Sequence, residues 1–136
     1  MAEQKKFEEL IFLDDRKYHS EHTWAKIDGD TVLVGISDFA QDSLGEIIFI
    51  DLPEAGSTFE QGEEFGLAES AKVASPLYMP VAGDVVAANE QLEEEPTIVN
   101  QDPYEQGWMI RMKAHDTAQV QELMSAEQYK QMVKDA

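Results

Sequence analysis

The ten residues Gly66-Leu67-Ala68-Glu69-Ser70-Ala71-Lys72-Val73-Ala74-Ser75 limit what this chain can fold into more than any other stretch. Two short apolar runs, Phe65 to Ala68 and Val73 to Val81, approach Lys72 from either side. Alternation with a period of two fits a half-buried strand rather than a helix face, so the stretch reads as a β-hairpin with Lys72 at its tip. The lysine is also alone in charge. From Ile27 to Ile110 it is the only Lys or Arg, against eighteen Asp and Glu. Small neighbours offer nothing to hide it.

Other runs supply partners for that hairpin. Thr23 to Ile27, Asp28-Gly29-Asp30 and Thr31 to Ile36 read as strand, tight turn, strand. Ser37 to Gly45 reads as a short helix: Ser37 caps it, Asp38 suits its positive end and Gly45 stops it. Phe39, Ala40 and Leu44 are expected on its buried side. Glu46 to Leu52 is a strand, with Ile47-Ile48-Phe49-Ile50 continuous enough to be buried on both faces. Pro76 and Pro80 belong on an edge or at bends, because neither can donate to a central ladder. Asp84 to Ala88 is a further strand, Glu90 to Glu95 a solvated acidic loop, and Gly107 to Lys113 the last strand. Two C-terminal helices follow, the second opened by the capping-box pattern Ser125-Ala126-Glu127-Gln128. Gly45-Glu46-Ile47-Ile48 and Gly83-Asp84-Val85-Val86 form a weak internal repeat around the hairpin. The expected fold is mainly β, with a short internal helix and C-terminal helices. Residues 1–17 are an N-terminal extension whose patch Phe7, Leu10, Ile11, Phe12, Leu13 fits a helix or a strand equally, and 18–136 are one domain.

Charge narrows the function. A net charge of −18 repels nucleic-acid phosphates and anionic membranes and favours basic patches on other proteins. It also serves simply to keep a protein soluble. No apolar run reaches the length of a membrane helix or a secretory core, so a cytoplasmic protein is expected. The absence of cysteine excludes disulfides, thiolate metal sites and cysteine nucleophiles. His19, His22 and His115 have no metal-ligand spacing, and no hydrolase or transferase motif is present. His22 beside Trp24 reads as a packed, hydrogen-bonded histidine.

Lys72 remains. A Schiff-base lysine needs an apolar pocket, which Ser70-Ala71-Lys72 does not offer. An exposed lysine is ordinarily only a solvated charge. A tip lysine, however, can enter another enzyme's active site and be acylated, which removes its charge.

From about Tyr18 onward the chain resembles the H-protein of the glycine cleavage system, a lipoyl carrier. The matching motifs are Val34-Gly35-Ile36-Ser37, Ala40-Gln41, Leu44-Gly45-Glu46-Ile47-Ile48-Phe49-Ile50-Asp51-Leu52-Pro53, Glu69-Ser70-Ala71-Lys72-Val73-Ala74-Ser75, Pro80-Val81-Ala82-Gly83-Asp84-Val85-Val86, Val99-Asn100, Asp102-Pro103-Tyr104 and Gly107-Trp108. The resemblance implies a flattened β-barrel, or barrel-sandwich hybrid, of two sheets related by a pseudo-two-fold. It implies lipoate amide-linked to Lys72, attached by a lipoylating enzyme, and a carrier without catalysis of its own. Gly62, Glu69 and Gly83 fall where the wider lipoyl-domain pattern has Gly, Glu and Gly. The carboxylate is then a recognition handle, and the glycines shape loops flanking the tip. A monomer is expected. An unmodified binding protein that kept the fold is the reading from another class.

Three positions depart from the family pattern. Thr23 stands where the family has Glu between His and Trp, Glu21 where Ser often precedes the His, and Pro76 where Asp usually follows the lysine by four. Together with His22 these are candidates for a cleft that holds the arm. Losing two carboxylates suited to a cationic amine favours sulfur as cargo, in service of a heterodisulfide-reductase-like complex in bacterial sulfur oxidation. The alternative is aminomethyl transfer with glycine decarboxylase, aminomethyltransferase and dihydrolipoyl dehydrogenase.

Overall fold

Nine strands form two antiparallel sheets in the computed structural model, which describes residues 5–135. In chain order the strands are β1 (Lys17–Tyr18), β2 (Thr23–Asp28), β3 (Thr31–Ile36), β4 (Ile47–Asp51), β5 (Thr58–Phe59), β6 (Glu64–Ser70), β7 (Ala74–Tyr78), β8 (Gly83–Ala88) and β9 (Ile110–Ala114). The helices are α1 (Asp38–Leu44), α2 (Gln91–Glu94), α3 (Ile98–Gln101), α4 (Ala118–Glu122) and α5 (Ala126–Asp135). One sheet runs β1-β2-β3-β9-β8-β5 and the other β4-β6-β7. Their facing sides bury Ala25, Val34, Ile36, Ile47, Ile50, Ala68, Leu77, Val85, Ile110 and Met112 in one core. This is the expected barrel-sandwich hybrid. The two copies of the internal repeat fall at β4 and β8, one in each sheet, and in both the first β-branched residue is buried and the second exposed.

The outer face of β1–β3 carries a second cluster, Tyr18, Trp24, Tyr104 and Tyr129, closed by α5. Phe7, Leu10, Phe12 and Leu13 pack onto it, whereas Ile11 stays exposed. The N-terminal segment therefore takes neither regular form at length. It makes one 3-10 turn, Phe7–Glu9, and then runs extended against the domain. Arg16 is buried over the Trp24 and Tyr104 rings and donates to the Tyr104 carbonyl at 2.7 Å.

Several local expectations hold. Ser37 caps α1 by accepting from the Ala40 N–H, and the Ser125–Gln128 box forms in both directions ahead of α5. Pro76 lies in an edge strand and Pro80 in a bend. Others need correction. Ile47–Ile50 is not buried on both faces: Ile48 is 58% and Phe49 48% exposed. β4 is an edge strand whose register with β6 is broken by a bulge between Ile47 and Phe49, so only Ile47 and Ile50 reach the core. The buried side of α1 is Asp38, Gln41 and Leu44, with Phe39 and Ala40 only half-buried. Polar partners across the interface make that burial tolerable. Glu90–Glu95 is not a solvated loop throughout; α2 forms there because Leu92, fully buried, anchors it. The last strand begins at Ile110, since Gly107 closes a turn onto the Asp102 carbonyl.

Candidate functional site

β6 and β7 pair from Glu64↔Tyr78 to Glu69↔Ala74 and leave Ser70 to Val73 as the connecting tip. Ser70 organises that tip. Its N–H donates to the Val73 carbonyl at 2.8 Å, and its buried hydroxyl accepts from the N–H groups of Val73 (3.3 Å) and Lys72 (3.4 Å). A serine hydroxyl that satisfies turn amides fixes a short loop without help from bulkier residues. Lys72 is thereby held at the surface.

Its side chain lies back over Gly45, at the C-terminal end of α1. A Cβ on Gly45 would stand 3.7 Å from Lys72 Cε and 4.0 Å from Nζ. Gly45 has φ 81°, a left-handed conformation open to glycine, and its N–H closes the helix on the Gln41 carbonyl. The partial negative charge of a helix C-terminus suits an ammonium group.

Asn100 fixes this corner. Its Nδ2 donates to the Gly45 carbonyl (2.8 Å) and to Gln41 Oε1 (2.9 Å), while its Oδ1 accepts from the Ile47 N–H (2.9 Å). Gln41 passes the network on through Nε2 to Asp38 (2.7 Å), whose carboxylate also accepts from Lys5 Nζ and the Ile11 N–H, both at 2.9 Å. Sequence reasoning assigned Gly45 only a helix stop and gave Asn100 no role. A glycine closing a helix just ahead of the hairpin's neighbouring strand was a readable signal for the first. Nothing local signals the second.

The other expected site residues are dispersed. Glu69 lies in the middle strand of its sheet, opposite Phe49 and Ala74 and half-buried. Gly62 and Gly83 do not flank the tip. Gly62 donates to the Met79 carbonyl at the base of the hairpin, and Gly83 begins β8, so the length of β6, on the order of 20 Å, separates them from Lys72. At Gly83 a Cβ would run into Met112 Cε and stand 2.6 Å from the Lys113 carbonyl oxygen, so close strand approach demands the glycine.

Glu21, His22 and Thr23 gather at the start of β2, near the N-terminus of α1. The Ser37 N–H donates to the His22 carbonyl, and the His22 ring packs on Phe39. Seven residues of helix, roughly 10 Å, separate them from the Gly45 end. Pro76 sits in the other sheet, opposite Leu67. Glu21, His22 and Thr23 are consecutive at the start of β2, and Pro76 belongs to the facing sheet. His22 is the packed histidine expected, with Nδ1 2.7 Å from the Tyr129 hydroxyl, itself 2.7 Å from Ser37 Oγ. Burial pushes its pKa down, against a smaller upward pull from Glu21. A neutral ring accepting at Nδ1 completes a relay in which the Ala40 N–H donates to Ser37, Ser37 to Tyr129 and Tyr129 to His22. Thr23 is buried, and among the described residues its hydroxyl is the one buried side-chain polar atom without a partner.

The family model for the glycine cleavage H-protein matches residues 16–136. The chain belongs to the glycine cleavage H-protein family. It is 48% identical over 120 residues to the glycine cleavage system H protein of Staphylococcus carnosus, covering 88% of this chain and 95% of that one. With the H protein of Halalkalibacterium halodurans it shares 50% over 122 residues, 90% and 95% of the two chains. The crystal structure of a glycine cleavage system H protein from Mycobacterium marinum superposes with a TM-score of 0.83 at 34% identity, covering 90% of this chain and 98% of that one. H-proteins are non-catalytic carriers with lipoate covalently attached to a lysine. An exposed amine on a self-satisfied turn fits that group, and among the described residues no helix is long and apolar enough to cross a membrane.

Proposed function

We propose that this H-protein carries lipoate amide-linked to Lys72 and shuttles an aminomethyl group between glycine decarboxylase, aminomethyltransferase and dihydrolipoyl dehydrogenase. The observation that carries the proposal is the presentation of Lys72: exposed, at a hairpin tip whose amides Ser70 satisfies, and the only basic residue between Ile27 and Ile110. When attached, lipoate supplies disulfide–dithiol chemistry. The chain, with no cysteine of its own, supplies attachment, presentation and a resting surface. Tethering raises the arm's effective concentration at each partner. Glu69 acts as the handle for the lipoylating enzyme, whereas Gly62 and Gly83 serve recognition only by building the hairpin's base. The protein acts as a monomer in the cytoplasm.

The preference for sulfur cargo does not survive as the main reading. It depended on Thr23 and Pro76 standing where carboxylates suited to a cationic amine are usual, an inference from two positions alone. Relatives sharing about half their residues over nearly their whole length are named for glycine cleavage. Two measurements test the proposal. Incubation with lipoate, ATP and a lipoate–protein ligase gives the mass gain of one lipoyl amide in wild type and none in Lys72→Arg. The loaded protein then supports turnover by aminomethyltransferase; absence of turnover with a properly lipoylated chain would restore the sulfur reading.

A further inference from the structure

The outer face of β4-β6-β7 carries an apolar patch for which neither the core nor the turn chemistry of the tip has a use. Consecutive residues of a strand normally point to opposite faces, yet Ile48 and Phe49 are both about half exposed or more, 58% and 48%. The bulge that drops Ile48 from the β4–β6 register produces this, and bulges next to functional sites re-aim side chains. Across the three strands, Phe49, Glu69 and Ala74 form one row, and Asp51, Leu67 and Pro76 the next. Val73, 41% exposed, extends the patch to the tip beside Lys72. Glu69 thus stands amid Phe49, Leu67, Ala74 and Pro76, with exposed Asp51 the other carboxylate of the two rows.

We propose that this face is the docking surface for the enzyme that acylates Lys72, engaged by an apolar surface carrying an Arg or Lys opposite Glu69. The proposal rests on Lys72 being the lipoyl site, because any enzyme acting there must cover the end of this hairpin. Covering the patch buries Glu69, and a buried carboxylate without a partner is costly. Among the described residues Glu69 takes part in no ion pair, and the side chain of Lys72, three residues on, lies over Gly45. The occupant therefore brings the positive charge. A second copy is a poor occupant, because a two-fold contact sets the patch against itself, Glu69 against Glu69, between molecules of net charge −18. Exposed aromatic residues such as Phe49 are the usual anchors of such contacts. In the step so enabled, the Lys72 amine attacks the carbonyl carbon of an activated acyl donor. The C–N bond forms as the bond to the leaving group breaks, the leaving group keeps the electron pair, and the amine's proton passes to solvent.

The experiment uses the full unmodified chain, a lipoate–protein ligase, lipoate and ATP, with initial rates read by intact mass over a range of acceptor concentrations. The double variant Ile48→Thr, Phe49→Thr keeps strand-favouring residues and is expected to raise KM for the acceptor at least tenfold with kcat within twofold. Glu69→Gln raises KM in the same way, whereas Val86→Thr, exposed on the other sheet, leaves both constants unchanged. Ile48→Thr alone, outside the paired register, repeats the test should the double variant melt early. An unchanged KM, or a fall in kcat alone, overturns the proposal. So does self-association of wild type that the double variant abolishes. A wild type that gains no lipoyl mass, or a Lys72→Arg variant that does gain it, instead marks failure of the Lys72 reading.

Discussion

Asn100→Ala is the sharpest probe of how Lys72 is seated. The substitution removes three hydrogen bonds at once and strands their partners: the N–H of fully buried Ile47, the Oε1 of buried Gln41 and the carbonyl of half-buried Gly45. A buried group left unpartnered costs about 1–3 kcal/mol. Asn100 itself is only half-buried, so water reaches the Gly45 side and the total should be about 2–4 kcal/mol. For a domain of this size that lowers Tm by roughly 10 °C. Urea unfolding with an unchanged m-value separates this from a change in the denatured state. Asn100→Asp sharpens the result. It keeps the acceptor for Ile47 but turns the donor into an oxygen facing two other acceptors, so at neutral pH it is no more stable than Asn100→Ala. Below the carboxyl pKa it regains one donor, and its deficit shrinks. A loss under about 0.5 kcal/mol for Asn100→Ala, within the range of ordinary surface changes, would refute the assignment.

Lys72→Gln keeps stability within about 0.5 kcal/mol while abolishing lipoyl attachment, since the lysine contributes presentation rather than packing; melting and intact mass check both halves. Burial lowers the His22 pKa, so the folded state favours the neutral ring. The stability this represents is complete above about pH 6.5, the free value, and is lost as pH falls from there through the folded pKa; His22→Gln should flatten that part of a stability–pH profile. Thr23→Val keeps the shape and removes a buried hydroxyl with no partner among the described residues, so it should raise stability by about 1 kcal/mol. A loss in urea unfolding would mean the hydroxyl is satisfied in solution. Gly83→Ala forces a methyl against Met112 and the Lys113 carbonyl and should cost about 1–3 kcal/mol, readable as a fall in urea midpoint.

What the sequence disclosed follows the reach of the interactions involved. The β2–β3 and β6–β7 hairpins, the Ser37 cap and the Ser125–Gln128 box each close within a few residues, and their residue types carry the instruction locally. Exposure at Ile48 and Phe49 was illegible because it depends on β4 being an edge strand with a bulge against β6, a property of the neighbour rather than of the run. Leu92 misled for the same reason: one buried leucine turns an acidic stretch into a helix only because the core offers it a place. The tip could be read and its seat could not. Ser70 acts on residues two and three positions away, whereas Asn100 reaches Ile47 across 53 residues of sequence.

That difference in reach bears on function. The hairpin can present Lys72 to a modifying enzyme using local contacts alone, so the exposure of the lysine, as distinct from the docking of the enzyme on β4, needs little from the rest of the fold. The resting surface at Gly45 is instead held by Asn100 and Gln41, and through Asp38 by Lys5 and Ile11, which lie ahead of the family match. Presentation and resting place are thus fixed by separate parts of the chain. Substitutions at Ser70 should therefore disturb attachment, while those at Asn100 should disturb the corner on which the lysine lies and leave the tip itself intact.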